Sequence, residues 1–482
     1  MDTVPYKGND KLLFGIIFGV LAFWLFAQTT LNINVVMAKD LRMDTAMMNI
    51  AVSITSLFSG IFIVVMGGLA DRVGRLKIIR IGFVFSIIGS LLVGFTPSGA
   101  MATPVLITGR ILQGLSAACI MPASLALLKA YWEGAGRQRA ISLWSMGSWG
   151  GSGFCALFGG LVAQNIGWRY IFFASALISV IGMWMIKDAP ESKAPQSGQK
   201  KKADIAGIIT FMIVMIALQV LVSQGSQLGW TSTVSLILIA AIVVFSIAFF
   251  RIESGRKNAF IDFKLFKNST YTGATISNLL LNAVAGILIV SLMLLQLGAG
   301  LSAQTAGLLT LGYAIAIVAF IRTGEKLLQR FGARKPMIWG CMIVGLSIIL
   351  LLPANLMTGT YKILAIISYT LFGVGLAFYA TPSTDAALSN LPEAQAGAGS
   401  GIYKMASSLG AAFGVAISAG IFVGLSSIDA PGSILDNVIR FEGRQDNVAI
   451  RQAAMVALFF NLLMVIIAII VIGKTVPKQS EK

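Results

Sequence analysis

The run YKILAIISYTLFGVGLAFYATPSTDAAL, from Tyr361 to Leu388, is apolar enough to sit in lipid, yet it carries Asp385. A carboxylate at membrane depth is costly unless it is paired, protonated or wetted, which makes Asp385 a candidate for proton exchange. The competing reading is a helix end that has already reached the headgroups. Residues 386–391 can extend the helix by about two turns, or about 9 Å, which favours a place in the inner part of a cavity, where burial favours the protonated carboxyl. Tyr403 and Lys404 are candidate partners.

Arg110, in LITGRILQGLSAA (106–118), stands about two turns inside another apolar run. A guanidinium there needs polar partners or water, and the first apolar run offers Gln28, Thr29, Thr30, Asn32 and Asn34. Snorkelling to the outer headgroups is the alternative. In GGLADRVGRLKI (67–78), Gly67, Gly68 and Gly74 permit a tight turn, and Asp71 is the sole acid among Arg72, Arg75, Lys77 and Arg80. Asp71 is placed to neutralise the positive end of a helix that starts on the same side near Gly399, which would latch the outward-open state of a transporter. The 482 residues include no His, so an imidazole proton relay is excluded.

The elements that must hold these residues follow from composition. The chain is 57% hydrophobic and 11% charged, with a mean hydropathy of +0.85, which a soluble surface cannot carry. It reads as an all-α polytopic membrane protein. About 20 apolar residues cross the hydrocarbon, and fourteen such runs lie between Leu12 and Ile472. The net charge of +17 is distributed by topology: with both termini cytoplasmic, 27 of the 36 Lys and Arg fall inside. Nucleic acid is not an expected partner; the lipid bilayer is. Cys119, Cys155 and Cys341 lie in spans without metal-ligand spacing, and no metal is expected.

Hydrophilic stretches at 188–204 and 251–271 divide the spans into six, two and six. The expected domains are an N-terminal six-helix bundle (1–187), a linker (188–203), an inserted helix pair (204–250), a linker (251–271) and a C-terminal six-helix bundle (272–482). A repeat supports this: shifted by 260 residues, Pro122 falls on Pro382, Ser148 on Ser408, Gly150 on Gly410 and Gly160 on Gly420. Six is even, so the halves lie parallel, an arrangement that puts a substrate cavity at their interface. Cavity candidates are Trp24, Gln28 and Asn32 in the first span, Asn278 and Asn282 in the ninth, and Tyr379 in the twelfth. So sparse a polar lining suits amphipathic organic molecules better than sugars. Gly147, Gly151, Gly159 and Gly160 of the fifth span let helices approach closely, with a partner expected in the other half.

These motifs resemble those of the major facilitator superfamily, and within it the fourteen-span drug:proton antiporters, quinolone-exporting multidrug pumps above all. The resemblance rests on IAVSITSLFSGIFIVVMGGLADRVGR, GRILQGLSAACIMPASL, RQRAISLWSMGSWGGSG, IDFKLFKNSTYTGATISN, YATPSTDAALSN and GIYKMASSLGAAFGVAIS, and covers nearly the whole chain. It implies a gating role for Gly67, Asp71, Arg72, Gly74 and Arg75, and a part in proton transfer for Arg110. Two spans depart from the family pattern. Cys155 and Ala156 replace a Gly-Pro in the fifth span, and Ala27 stands where the first span often carries Asp. The resemblance implies a monomeric, proton-coupled exporter of small amphipathic drugs, quinolones and cationic dyes among them. It would act by alternating access in the bacterial cell membrane, with the proton gradient as its energy source and no cofactor. No GxxxxGK motif for ATP drive appears. An importer or exporter of another metabolite shares the fold, and a membrane enzyme would need catalytic pairings that the sequence lacks.

Overall fold

The structure, a computed structural model, describes residues 6–43, 45–194, 204–229, 231–254, 263–426 and 447–478. The expected linkers and the external stretch 426–450 therefore lie partly outside the described residues. Among the described residues every regular element is helical. That is what lipid dictates, since a helix satisfies its backbone polar groups within the segment.

Among the described residues eleven helices are long and apolar enough to cross a membrane, and a bent pair, Leu157–Asn165 with Arg169–Met185 at 118°, brings the number to twelve if it counts as one span. The fourteen expected spans include 168–187 and 204–223 as separate crossings. Here α8 (Arg169–Met185) is 17 residues long, and the apolar part of α9 (Ile205–Leu228) is the shorter Ile205–Leu218.

The helices that position the candidate residues are α1 (Asp10–Leu21), α2 (Thr30–Leu41), α3 (Thr45–Val73), α4 (Arg75–Gly94), α5 (Ala102–Tyr131), α6 (Gly134–Ser145) and α7 (Gly151–Asn165). Further along come α11 (Ser269–Ala283), α12 (Gly286–Met293), α16 (Thr358–Ser389), α17 (Ala396–Ser426) and α18 (Val448–Thr475). The chain packs as two units: residues 1–272 with 384–405, and residues 273–383 with 406–482. The ends of α16 and α17 that flank Pro392 thus belong to the first unit.

The repeat is visible in where helices break. Between α1 and α2 the first span passes through a π-helical turn at Ala22–Phe26 and a 3-10 turn at Ala27–Thr29. The ninth span is interrupted between α11 and α12, at Val284 and Ala285, about 260 residues later. Pro122 inside α5 and Pro382 inside α16 repeat in the same register.

Close packing in the first unit depends on glycine. A side chain at Gly89 would meet the Gly109 carbonyl at 2.8 Å, and one at Gly109 would meet the Gly89 carbonyl at 2.9 Å, so α4 and α5 cross backbone to backbone. Beside them the Phe83 ring fits against Gly19 of α1 and Gly182 of α8, while Gly82 faces Cys119 and Ile120 of α5. At the far end from the GGLADRVGR turn, Asp40 accepts from Trp168 Nε1 at 3.1 Å and from Arg169. The Arg169 guanidinium holds the Asp40 carboxyl below its usual range. On the outside, Val234, Leu236, Ile237, Val243, Val244, Ile247 and Phe250 of the eighth span are exposed, as a lipid-facing surface requires.

Gly89→Val should overpack the α4–α5 crossing and cost about 1–3 kcal/mol. Thermal unfolding of the purified protein in detergent should show a lower midpoint. Gly160→Ala, where an added Cβ meets open space, should leave the midpoint unchanged; equal midpoints for both variants would refute the crossing.

Candidate functional site

Asp71 is buried at the end of α3, where its Oδ1 accepts from Arg75 Nε at 3.1 Å and Nη2 at 3.0 Å. The same carboxylate accepts from the backbone of α17: from Gly397 N at 2.8 and 3.0 Å, and from Ala398 N at 3.1 Å. These are orphan N–H groups of a helix's first turn, and the helix dipole adds to the attraction. Gly67 makes the approach possible. An added Cβ there would collide with the Gly397 carbonyl, and one at Gly401 would meet the Ile63 carbonyl at 2.9 Å. Gly74 has φ +136°, a backbone that L side chains avoid, and its open face receives the Glu191 carboxylate. Glu191 in turn caps α4, accepting from Leu76 N at 2.8 Å and Lys77 N at 2.9 Å. Arg75 is fully buried and reaches on to the Glu393 carbonyl at 2.7 Å and Ser192 Oγ at 3.2 Å. Arg72 is exposed.

Two further cations hold the same segment, and sequence reasoning counted both as loop charges. Lys129 Nζ donates to the carbonyls of Leu388 at 2.6 Å and Leu391 at 2.5 Å, binding the last turn of α16 and the chain beyond it. Arg137, near the start of α6, donates from Nε to Asp385 Oδ1 at 3.3 Å and from Nη2 to Ser389 Oγ at 2.8 Å. Asp385 is thus buried and paired with a loop-side arginine, and not with the expected Tyr403 or Lys404. Tyr403 bonds instead to Thr384, at 3.3 Å between the hydroxyls. Residues 385–398 are therefore gripped by Asp71, Arg75, Lys129 and Arg137 together.

Arg110 is completely buried. Its Nη1 donates to the Ala27 carbonyl at 2.8 Å and to Gln113 Oε1 at 2.7 Å, and its Nε to the Ala51 carbonyl at 3.1 Å. The expected partners among the polar side chains of the first span are corrected by this geometry, because the irregular backbone at Ala22–Thr29 turns the Ala27 carbonyl to the guanidinium. Gln113 is itself held by Ser90 at 3.2 Å. No carboxylate is among the hydrogen-bond partners of Arg110, and Arg110 and Asp385 sit in separate sets of contacts.

The cavity candidates fall into separate groups. Trp24 lies in the π-helical turn, its ring edge-on to Phe23 at 5.2 Å between centroids. The ammonium of Lys404 stands 5.9 Å from the Trp24 ring and 5.0 Å from that of Trp144. Gln28 is half-buried and Asn32 exposed, the latter 3.7 Å from Cys155 Sγ. In the second unit, Asn278 donates to Ser407 Oγ at 2.6 Å, and Asn282 donates to the Asn278 carbonyl at 2.7 Å. Tyr379 belongs to another chain of bonds, with Ser277 at 2.7 Å and Ser383 at 2.9 Å.

The fifth-span glycines meet the first span, in their own unit, which corrects the partner expected in the other half. A Cβ at Gly147 would touch Ile17, one at Gly151 would touch Trp24 at 3.2 Å, and one at Gly159 would collide with Thr29. At Gly160 it would meet nothing. The dense packing leaves the irregular turn of the first span no room to shift.

Among the described residues no group of His, Cys, Asp and Glu is fit to hold a metal, and the buried charges hold a helix break and a helix junction in place. The Major Facilitator Superfamily model matches residues 12–415 and again 271–482, and the chain belongs to that family. It is a transporter and not an enzyme. Over 481 residues it is 46% identical to the quinolone resistance protein NorB of Staphylococcus aureus strain MRSA252, covering 99% of this chain and 98% of the relative. The same figures hold for the NorB of strain bovine RF122 / ET3-1. Among solved structures, the superfamily's proton:xylose symporter XylE bound to 6-bromo-6-deoxy-D-glucose aligns with a TM-score of 0.63 at 16% identity, over 97% of this chain and 94% of that one. A double Trp mutant of XylE gives 0.64 at 16%, over 98% and 96%. At that identity the likeness concerns the fold.

Asp71→Asn should loosen the α17 start. The amide hydrogens of Gly397 and Ala398 should exchange about tenfold faster or more in hydrogen–deuterium exchange of the purified protein. Unchanged exchange at these residues would show that Asp71 does not hold them.

Proposed function

We propose that this protein is a proton-coupled multidrug exporter of the bacterial plasma membrane, an antiporter that moves amphipathic drugs outward as protons move inward. The observation that carries the reading is the 46% identity, over 481 residues, with proteins named for quinolone resistance. Quinolones and cationic dyes are the expected substrates. We take the chain to cross the membrane fourteen times as a monomer with both termini cytoplasmic, in two six-helix bundles that rock about a central site and flank an inserted pair at 204–250. The grip of Asp71 and Arg75 on the start of α17, in the gating turn that also holds Gly67, Arg72 and Gly74, then lies on the cytoplasmic side and closes the inner gate. We take Trp24, Gln28, Asn32, Asn278, Asn282 and Tyr379 as the substrate contacts.

Coupling follows from Asp385. With the inner gate closed its carboxylate pairs with Arg137. A proton arriving from outside removes the charge, weakens the pair and lets the gate open inward. Release of that proton to the cytoplasm restores the carboxylate, which recaptures Arg137 after a drug has bound. Proton entry and drug exit are thus alternate halves of one cycle, as antiport requires. Arg110, a buried cation that holds the Ala27 carbonyl, keeps the first-span turn in place for proton passage.

Asp385→Asn should bind drug with an affinity within about threefold of native and lose drug-driven proton movement by about tenfold or more. The measurement is pH-dye fluorescence in proteoliposomes, with insertion checked in both. Equal coupling in the variant would remove Asp385 from the pathway. Drug movement by the native protein that ignores an imposed pH gradient would end the antiport reading.

A further inference from the structure

Lys404 is a cation in an unusual setting. It lies on α17, its side chain 5% exposed, between two indole rings. Trp144 is 1% exposed and fixed, because its Nε1 donates to Ser124 Oγ at 2.9 Å. Trp24 differs: its Nε1 is buried and has no hydrogen-bond partner. Ser400, one turn before Lys404 on the same helix face, is fully buried, and its Oγ has no partner either. A buried donor left unmet is expensive, and here one sits on the indole that faces the ammonium and one a helical turn away from Lys404, each complete only when something accepts from it.

We propose that Lys404, Trp24, Ser400 and Trp144 form a subsite for the carboxylate of a planar aromatic acid. The ammonium supplies charge, the Trp24 N–H and Ser400 O–H supply donors, and the indole faces supply apolar walls for a ring. A carboxylate has two oxygens with four lone-pair sites, enough for all three donors at once. All four side chains belong to the first unit. The inference rests on the drug-export reading and narrows it: acids use this subsite, and cationic dyes, which the ammonium repels, bind elsewhere in the protein.

The test compares nalidixic acid, a planar aromatic carboxylate, with its ethyl ester, by equilibrium binding to the purified protein. The readout is the ratio of the two dissociation constants, acid over ester. Lys404→Met should raise the ratio about tenfold or more, and Lys404→Arg, which keeps the charge, should leave it near the native value. Trp24→Phe, which keeps the ring and removes the N–H, should raise it severalfold, and it carries the test if Lys404→Met does not fold. An unchanged ratio in Lys404→Met, or in Trp24→Phe where that variant alone folds, overturns the subsite. Ethidium export by native protein in vesicles separates this from the parent reading. If ethidium is exported and the ratio does not move, the subsite alone fails; if native protein exports neither ethidium nor the acid, drug export itself fails.

Discussion

The arrangement of the first unit depends on one carboxylate that serves two masters. Asp71 neutralises Arg75 on its own turn and caps the first amides of α17. Both demands have to be met by the same two oxygens in a buried place, so the two backbones must come together within hydrogen-bond reach. That is why Gly67 and Gly397 face each other with no room for a side chain. It is also why Gly74 must turn with a positive φ, bringing α4 back beside α3. Breaking a buried ion pair by deleting one partner costs about 3–5 kcal/mol, whereas separating the intact carboxylate from α17 leaves Arg75 still paired. The geometry makes α17 the cheaper thing to release.

Helix irregularity does a second job. Arg110 draws on carbonyls of two spans, Ala51 inside the regular α3 and Ala27 at the break in the first span. The π and 3-10 turns of Ala22–Thr29 free the Ala27 carbonyl, and Arg110 takes it. The glycines at 147, 151 and 159 pack the fifth span onto this irregular stretch. The distorted helix thus supplies a hydrogen bond to a buried charge that has no carboxylate partner.

How far the sequence discloses this differs by residue. Hydropathy discloses the helical class and most of the spans, because lipid imposes length and apolarity on each. The Asp71 turn is legible because glycine spacing and a lone acid among cations are local features, and the start of α17 on the same side follows from counting spans. Arg137 and Lys129 are not legible. Loop cations are expected on topological grounds alone, so nothing local distinguishes the two that reach residues 385–391 from those that face water. The partners of Arg110 are hidden for another reason: apart from Gln113 they are main-chain carbonyls, and the side-chain pattern does not say which carbonyls a guanidinium will meet. The packing of the fifth span onto the first, within one unit, likewise needs tertiary structure, since small residues four apart name a close contact without naming its partner.

The contacts on residues 385–398 also limit which of them a proton can switch. Lys129 and Arg75 hold carbonyls of Leu388, Leu391 and Glu393, and a carbonyl keeps its acceptor strength at any physiological pH. The two carboxylates are the titratable acceptors, and they are unequally committed. Asp71 accepts from one side chain and two backbone amides, which favour its charged form, but burial outweighs them and raises its pKa above the usual carboxylate range. Asp385 has a single ion pair, at 3.3 Å, with an arginine whose side chain is 20% exposed. A junction built this way keeps its register through the carbonyl contacts and through the two α17 amides that Asp71 caps.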